Sequence, residues 1–121
     1  MKKQKLKAVY FGRFGETFAC FALRLKRYRI IARNVRTNAG EIDIIARHGK
    51  TLCFIEVKSR KTHRLALESL SVRQQNRIIR AAWAFLSQNP RYSTYQIRFD
   101  FMAVVAYRWP LHLKNAWLDK T

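Results

Sequence analysis

Carboxylates are scarce in this 121-residue chain, which has 7 Asp and Glu residues against 25 Lys and Arg, so their positions are informative. Glu41 and Asp43 stand two residues apart, and a strand would place both side chains on one face because side chains alternate along it. Glu56 and Lys58 share a face of the next extended segment in the same way. In a hairpin that turns near Gly49, either Asp43 or Glu41 faces Glu56, depending on the register. In both registers, carboxylates of two neighbouring strands converge.

Converging carboxylates suit a hard divalent cation. Like charges directly across a sheet are destabilising, and nearby cations or a bound metal relieve the repulsion. Mg²⁺ (or Mn²⁺) takes carboxylate oxygens and several waters, which leaves room for phosphate oxygens. The pattern predicts a metal held by Asp43 and Glu56, with Lys58 orienting a water or stabilising a pentavalent phosphate. The alternative is a surface hairpin whose Glu and Lys side chains form outward salt bridges.

The elements that must position these residues form a single α/β domain over residues 1–121. Apolar residues at helical spacing follow Gly12 and Gly15, and a second helical stripe runs from Gln75 to Leu86. Extended segments are predicted around residues 30–35, 41–46, 51–58, 96–107 and 114–118, and a mobile basic loop at 60–71. The order α-β-β-β-α-β-β predicts a mixed central sheet flanked by helices.

The charge balance indicates the kind of partner. A formal net charge of +18 favours a polyanion, above all nucleic acid. The basic residues are spread along the chain rather than gathered on one helix face, which disfavours an anionic lipid surface. The 49% of hydrophobic residues excludes a disordered basic tail.

The cysteines and the N-terminal segment indicate the compartment. Cys20 and Cys53 lie in apolar runs and are predicted to be buried, reduced thiols, and no Cys or His spacing predicts zinc. Residues 1–9 are predicted to be a flexible basic arm. Because this segment has no apolar run long enough for a signal peptide or a membrane span, a cytoplasmic protein without a membrane partner is expected.

The motifs together resemble those of the PD-(D/E)xK nuclease superfamily. The segments that carry the resemblance are Gly-Glu-Ile-Asp-Ile-Ile-Ala at residues 40–46 and Phe-Ile-Glu-Val-Lys-Ser-Arg at residues 54–60. Their order and spacing resemble archaeal Holliday-junction resolvases. The whole chain is similar, more closely still, to the YraN-like family of small bacterial proteins. Further matching features are Gly15-Glu16 with Ala19, Arg33-Asn34, residues 73–77, Arg80-Ala81-Ala82 and Arg98-Phe99-Asp100.

This resemblance implies a restriction-endonuclease-like fold with a metal-and-water core of Asp43, Glu56 and Lys58. It also implies that Glu16, on the first helix, adds an acid to the site and that Gln75 opens the second helix beside it.

The chain departs from the family pattern at the start of the second helix. Val72 replaces a usual Pro, which weakens the helix start signal, and Gln74 replaces a usual Lys, which removes one candidate phosphate contact. The cations expected to hold a nucleic-acid backbone are Arg33, Arg36, Arg60, Lys61, Arg64, Arg73 and Arg77.

The function expected from these features is metal-dependent endonuclease activity on DNA, including branched or structured DNA. The alternative is a non-catalytic nucleic-acid-binding protein, for DNA or for ribosome-associated RNA, that keeps the nuclease fold. Carboxylate clustering separates the two, because a pure binder gains nothing from anions placed beside a polyanion. A homodimer is compatible with both.

Other polar and aromatic residues receive structural interpretations. Trp83 lies on the second helical stripe and is predicted to be in the core, whereas His48, His63 and His112 are predicted to be exposed. Asp100 faces away from its apolar neighbours, and its pattern leaves open whether it belongs to the site or pairs with an arginine.

Overall fold

The computed structural model describes residues 2–119, and their side chains from Phe14 onward. The elements in chain order are α1 (Lys2–Leu25), β1 (Arg29–Thr37), β2 (Gly40–His48), β3 (Thr51–Ser59), α2 (His63–Glu68), α3 (Val72–Gln88), a short 3-10 helix (Pro90–Tyr92), β4 (Gln96–Val104) and β5 (Leu111–Trp117).

The strands form one sheet in the order β1-β2-β3-β4-β5. β3 and β4 are parallel and the other neighbours are antiparallel. A parallel pair needs a crossover connection, and α2 and α3 provide it between β3 and β4. The predicted mixed sheet with flanking helices is confirmed.

The helices cover opposite faces of the sheet and give three layers. On one face α1 buries Ala22 and Leu23 against Ile55 of β3 and Met102 of β4. On the other face α3 packs through the residues Ile78, Ala81 and Ala82 against Leu52, Phe54 and Phe101. β3 and β4 are therefore buried on both faces. This confirms the interpretation of the apolar run at 101–106 as a central strand as far as Val104, where β4 ends, short of the predicted end at residue 107.

The first helix starts earlier than the sequence pattern predicts. α1 begins at Lys2 and passes through Gly15, which was expected to precede the helix. The glycine serves close packing instead, because a Cβ at Gly15 would collide with Oγ of Ser59 on β3. The basic arm predicted at residues 1–9 falls where side chains are outside the described residues, so its flexibility stays a prediction.

The predicted loop at residues 60–71 is wrong over part of its length, because it contains α2. Thr62 caps this helix, since its hydroxyl accepts a hydrogen bond from the Leu65 N–H at 3.1 Å. Ser71 caps α3 in the same way through the Gln74 N–H at 3.1 Å. β5 also starts earlier than predicted, at Leu111.

Trp83 is not a core residue. Its side chain is 53% exposed, and its indole N–H donates to a carboxylate oxygen of Asp119 at 2.8 Å. The buried stripe of α3 is centred on Ile78 and Ala82, and Trp83 lies beside it. Cys20 and Cys53 are buried and free, as predicted. Within residues 2–119, no helix is long and apolar enough to cross a membrane.

Candidate active site

Asp43 and Glu56 meet where β2 separates from β3. The antiparallel register pairs Ile44 with Ile55, and the next positions along the two strands are Asp43 and Glu56. There the Val57 N–H donates to the Asp43 carboxylate at 2.8 Å instead of to a backbone carbonyl of β2. The carboxyl groups of Asp43 and Glu56 are hydrogen-bonded to each other. The register in which Asp43, rather than Glu41, faces Glu56 is therefore the one observed.

The regular alternation predicted for β2 is wrong at this point. Ile42 packs in the core under α3, whereas Ile44 packs in the core under α1. A strand with unbroken alternation would place both side chains on one face. At this irregularity the Asp43 carboxylate, rather than a backbone carbonyl, accepts the hydrogen bond from the Val57 N–H of β3.

Glu56 is the most perturbed acid of the site. Its side chain is 6% exposed, and one carboxylate oxygen lies 3.1 Å from the Lys58 ammonium and 3.1 Å from the amide nitrogen of Gln74. Burial raises the pKa of Glu56 to about 8; the charge of Asp43 adds to that rise, and Lys58 opposes it. In the absence of a metal, the Asp43–Glu56 pair thus retains a proton at neutral pH.

Burial also raises the pKa of Asp43, against the hydrogen bonds from the Val57 N–H and from Glu56 and the charge of Lys58. Two carboxyl groups with raised pKa values beside one ammonium form a site that favours additional positive charge. A divalent cation would supply that charge and displace the shared proton.

Glu16 approaches the same site from α1. Burial and then the charge of Asp43 raise the pKa of Glu16, while Arg33 and a hydrogen bond with Asn34 oppose this rise. Because Gly15 lets α1 pack closely on β3, the helix turn that carries Glu16 comes near the carboxylates of the sheet. Asn34 adopts a positive φ of 52° within β1, which sequence reasoning did not detect.

The acids lie in two adjoining cavities of about 470 and 730 Å³. Arg36 and Glu41 line both cavities, so the two cavities form one cleft across the ends of β1, β2 and β3. The residues that line the smaller cavity include Asp43, Glu56, Lys58, Gln74 and Arg77, and those of the larger cavity include Glu16, Thr17, Arg33 and Asn34.

The predicted backbone-binding cations are divided among different places. Arg33, Arg36 and Arg77 line the cleft, and Arg36 is 3.0 Å from Glu41 in an exposed ion pair. Arg60 and Lys61 line a separate groove beyond the end of β3. The two that lie away from these cavities are Arg64, paired with Glu68 on α2 at 3.0 Å, and the exposed Arg73.

Gln74, rather than Gln75, is the amide that reaches Glu56. Both residues lie on the first turn of α3 and flank its buried stripe, so helical spacing alone does not distinguish them. Ser71 sets the helix start and thereby the rotation that directs Gln74 into the cleft. Gln74 is the residue of the candidate site that sequence reasoning missed, and the Ser71 cap is the signal that could have found it.

Asp100 belongs to a different polar cluster. Its fully buried carboxylate accepts hydrogen bonds from Arg98 at 2.8 Å and from the Asn115 N–H at 3.0 Å, and lies 2.8 Å from Nε2 of His112. Burial alone would raise the pKa of Asp100, but these hydrogen bonds hold it below its ordinary value. The expectation that His112 is exposed is wrong, because its side chain is 1% exposed.

A metal at the candidate site would rest on two carboxylates. Among residues 14–119, no group of three or more His, Cys, Asp or Glu side chains is placed to hold a metal ion. The pair Asp43 and Glu56 still fits Mg²⁺, which is commonly bound through one or two carboxylates with waters and substrate phosphates in the remaining positions. It does not fit zinc, which takes nitrogen and sulfur ligands in tetrahedral sites.

The comparisons with known proteins agree along nearly the whole chain. Residues 15–104, which include the candidate site, match the model of a family described as "Uncharacterised protein family UPF0102". A UPF0102 protein of Parvibaculum lavamentivorans is 45% identical over 112 residues, 93% of this chain and 84% of the relative. One of Chelativorans sp. is 46% identical over 106 residues, 88% and 86% of the two chains, and one of Mesorhizobium japonicum is 45% identical over 114 residues, 94% and 91%. This chain therefore belongs to the UPF0102 family.

Proposed function

We propose that this protein is a metal-dependent endonuclease that hydrolyses phosphodiester bonds in DNA. The observation that carries the proposal is that the fold places the carboxyl groups of Asp43 and Glu56 next to each other in a buried site, in a chain with net charge +18. Burying two neighbouring carboxylates is unfavourable for folding, and a binding protein for a polyanion has no use for them. A cation-assisted reaction at phosphate explains both the acids and the surrounding positive charge.

The chain's own residues have distinct roles in this proposal. Asp43 and Glu56 hold the cation, and Gln74 fixes Glu56 through its amide N–H. A cation held by these residues would supply positive charge for the scissile phosphate and would make an attacking water more acidic. Lys58, whose side chain is only 19% exposed, orients that water and stabilises negative charge that develops on the phosphate. Glu16 adds an acid at the far side of the cleft.

The rim of the cleft suits a nucleic-acid backbone. Arg33, Arg36 and Arg77 surround the acids, and the first two lie on the exposed surface of β1. Guanidinium groups contact phosphate oxygens in a bidentate way and set the position of the strand without reading its sequence. The backbone can therefore enter the cleft with one phosphate against Lys58.

The sequence resemblance supports the same reaction. The order of Asp43, Glu56 and Lys58 on two neighbouring strands resembles that of PD-(D/E)xK nucleases, and the chain is similar in spacing to archaeal Holliday-junction resolvases. This resemblance supports DNA as the substrate and includes branched DNA among the forms to test. It rests on motifs, and fold likeness alone does not establish an activity.

A non-catalytic nucleic-acid-binding protein is the second candidate. It is favoured by the strong positive charge and by the absence, among residues 14–119, of a cluster of three or more metal-ligating side chains. In this case the buried acids would be a remnant, and Glu56 would stay protonated.

Cleavage and gel-shift assays on the same variants distinguish the two candidates. The purified protein is incubated with Mg²⁺ or Mn²⁺ on linear, flapped and four-way DNA, and binding is measured in EDTA. Asp43→Asn should abolish cleavage but leave binding in EDTA unchanged or tighter, because a repulsive anion is removed. Lys58→Ala should reduce cleavage steeply, with only slightly weaker binding. Glu68→Gln, in the exposed pair with Arg64, is the matched control for loss of one negative charge.

The enzyme hypothesis fails if the wild type cleaves none of these DNAs with either metal and Asp43→Asn only tightens binding. The second candidate then gives the better account. If Asp43→Asn and Glu68→Gln cleave equally well, any cleavage comes from a contaminant or from a different site.

A further inference from the structure

A group of aromatic side chains lies where β3 and β4 end. Tyr107 and Trp109 stand in the connection between β4 and β5, with Tyr107 fully exposed and Trp109 51% exposed. Trp109 packs edge-on against Phe18 of α1, with ring centroids 5.5 Å apart, and Phe18 contacts Phe14, which is 60% exposed. We call these four residues the aromatic platform. Large apolar groups in such a contiguous exposed surface indicate a contact with another molecule.

The backbone of Tyr107 gives an independent indication of function. Its φ is +63°, a left-handed conformation that is rare for a bulky residue and that Gly or Asn adopt with less strain. A fully exposed ring in this conformation adds nothing to the protein core. Unfavourable backbone geometry of this kind is concentrated at binding and catalytic sites.

A groove with an apolar floor and a basic rim adjoins the platform. It has a volume of about 640 Å³ and is lined by Leu65 and Ala106, with Arg60 and Lys61 at its edge. A smaller cavity of about 270 Å³, under the platform, shares Ala106 with this groove and adds Arg108. Stacked bases need an apolar surface and their phosphates need cations, so the groove has the composition that a polynucleotide strand requires.

The groove beside the platform lies at the same end of β3 as Lys58. Ser59, which lines the groove, directly follows Lys58 and pairs with Val104 across the parallel strands. The Arg60 N–H donates to the Val104 carbonyl at 3.1 Å, which holds the ends of β3 and β4 together. Tyr107 follows three residues after Val104, so the platform lies at the same end of the central strands as Lys58.

We propose that the aromatic platform stacks unpaired bases, so the substrate is nucleic acid with a single-stranded segment beside a duplex. The inference rests on the proposed function, because it assigns the substrate class of the same site. Bases inside a duplex are stacked on each other and have no free face for Tyr107, whereas an unpaired base has one. A second copy of this chain fits the platform less well, because two molecules of net charge +18 would bring their basic rims together.

Fluorescence anisotropy in EDTA tests the proposal without any dependence on cleavage. The probes are a labelled blunt DNA duplex and the same duplex with a single-stranded thymidine tail. The wild type should prefer the tailed probe. Tyr107→Asn and Trp109→Ala should each weaken binding of that probe by roughly 5- to 150-fold, the range measured for loss of one base–aromatic contact, and leave the blunt probe unaffected.

Trp83→Ala is the matched control, because Trp83 is an equally exposed tryptophan, at 53%, on α3 across the sheet. It should bind both probes as the wild type does. Tyr107→Asn keeps the test valid even if Trp109→Ala disturbs the packing on Phe18, because the Tyr107 side chain is fully exposed and Asn accepts its backbone conformation.

The proposal is overturned if Tyr107→Asn binds the tailed probe as tightly as the wild type does. It is also overturned if that variant dissociates a dimer in sedimentation without changing DNA binding, since a second copy then occupies the platform. Tail-dependent binding without any cleavage would support this inference and contradict the nuclease function. Cleavage of the tailed DNA that the platform variants leave unchanged would do the reverse.

Discussion

The buried proton on Glu56 should make the stability of the metal-free protein depend on pH, and Glu56→Gln should remove that dependence. Burial raises the pKa of Glu56 from 4.5 to about 8 in the folded state. The folded protein therefore binds one more proton than the unfolded chain between these two values. The free energy of unfolding therefore falls as the pH rises through this window. The reason is that the buried acid must either keep its proton or ionise in an unfavourable environment.

The magnitude follows from linkage. One proton bound only in the folded state changes the free energy of unfolding by roughly 1.4 kcal/mol per pH unit. Below pH 4.5 the neutral acid and the amide are nearly equivalent, so Glu56→Gln should have little effect there. By pH 8 the variant should be more stable than the wild type by on the order of 3 to 5 kcal/mol.

Urea unfolding in EDTA at several pH values measures this difference. Subtracting the wild type from Glu56→Gln cancels the titration of the groups outside the Asp43–Glu56 pair. A difference between Glu56→Gln and the wild type that stays flat from pH 4.5 to 8 would refute the buried proton.

The same unfolding experiment with added Mg²⁺ connects this prediction to the proposed site. Because Glu56 must lose its proton to hold a cation, Mg²⁺ should bind the wild type more tightly as the pH rises. At a tenfold excess over its Kd, Mg²⁺ should add about 1.4 kcal/mol to the stability of the wild type. The gain should be much smaller in Glu56→Gln. Equal stabilisation of both proteins would place the cation elsewhere.

The remaining predictions concern binding and packing. DNA affinity should fall steeply with salt, by about 0.9 log unit per log unit of salt for each phosphate contact, and a flat titration would contradict a role of the +18 charge in binding. Gly40→Ala should lower stability by about 1–3 kcal/mol, because φ is +152° there. It should also weaken DNA binding, because a Cβ at this position would displace the Arg77 side chain. Gly49→Ala is the control: its φ is +60° but the space around it is open, so this change should affect stability alone. Asp100→Asn should cost about 3–5 kcal/mol at pH 7 because it leaves Arg98 without its buried partner. The difference should shrink as the pH falls below 3.8, the ordinary pKa of Asp100, because the unfolded wild-type chain takes up a proton there and the folded carboxylate, whose pKa is lower, does not. Equal acid sensitivity of the two proteins would contradict the depressed pKa.

The architecture was accessible from sequence because it depends on local periodicity. The alternation in residues 41–46 and 51–58 predicted β2 and β3, and the stripe from Gln75 to Leu86 predicted most of α3. The start of α1 was missed, because Gly15 is ordinarily a signal against helix. Only its contact with Ser59 on β3 explains the glycine.

The candidate site was predicted as a set of residue types, and its detailed geometry was not. Spacing alone brought Asp43, Glu56 and Lys58 together, but it left two registers open. The register with Ile44 opposite Ile55 selects Asp43. The choice of Gln74 over Gln75 depends on the rotation of α3, which the Ser71 cap and the core contacts set together.

The exposure of single side chains was the least predictable property. Trp83 is in solvent and His112 is buried, both contrary to the expectations from sequence. Burial depends on what the rest of the chain places over a residue: β5 carries His112 to the buried carboxylate of Asp100, whereas nothing in the local sequence signals that contact.

The sequence by itself thus determined the element order, the excess of positive charge and the pair of acids with a lysine, because these follow from residue types and spacings of two to four positions. The tertiary structure decided that Glu56 is buried with a raised pKa, that the pairing of β2 with β3 ends at Asp43, and that Tyr107 and Trp109 are exposed beyond the end of β4. Solvent exposure and electrostatic coupling are set by groups far apart in the chain, and only the folded packing of α1, α3 and the sheet brings those groups within reach of one another.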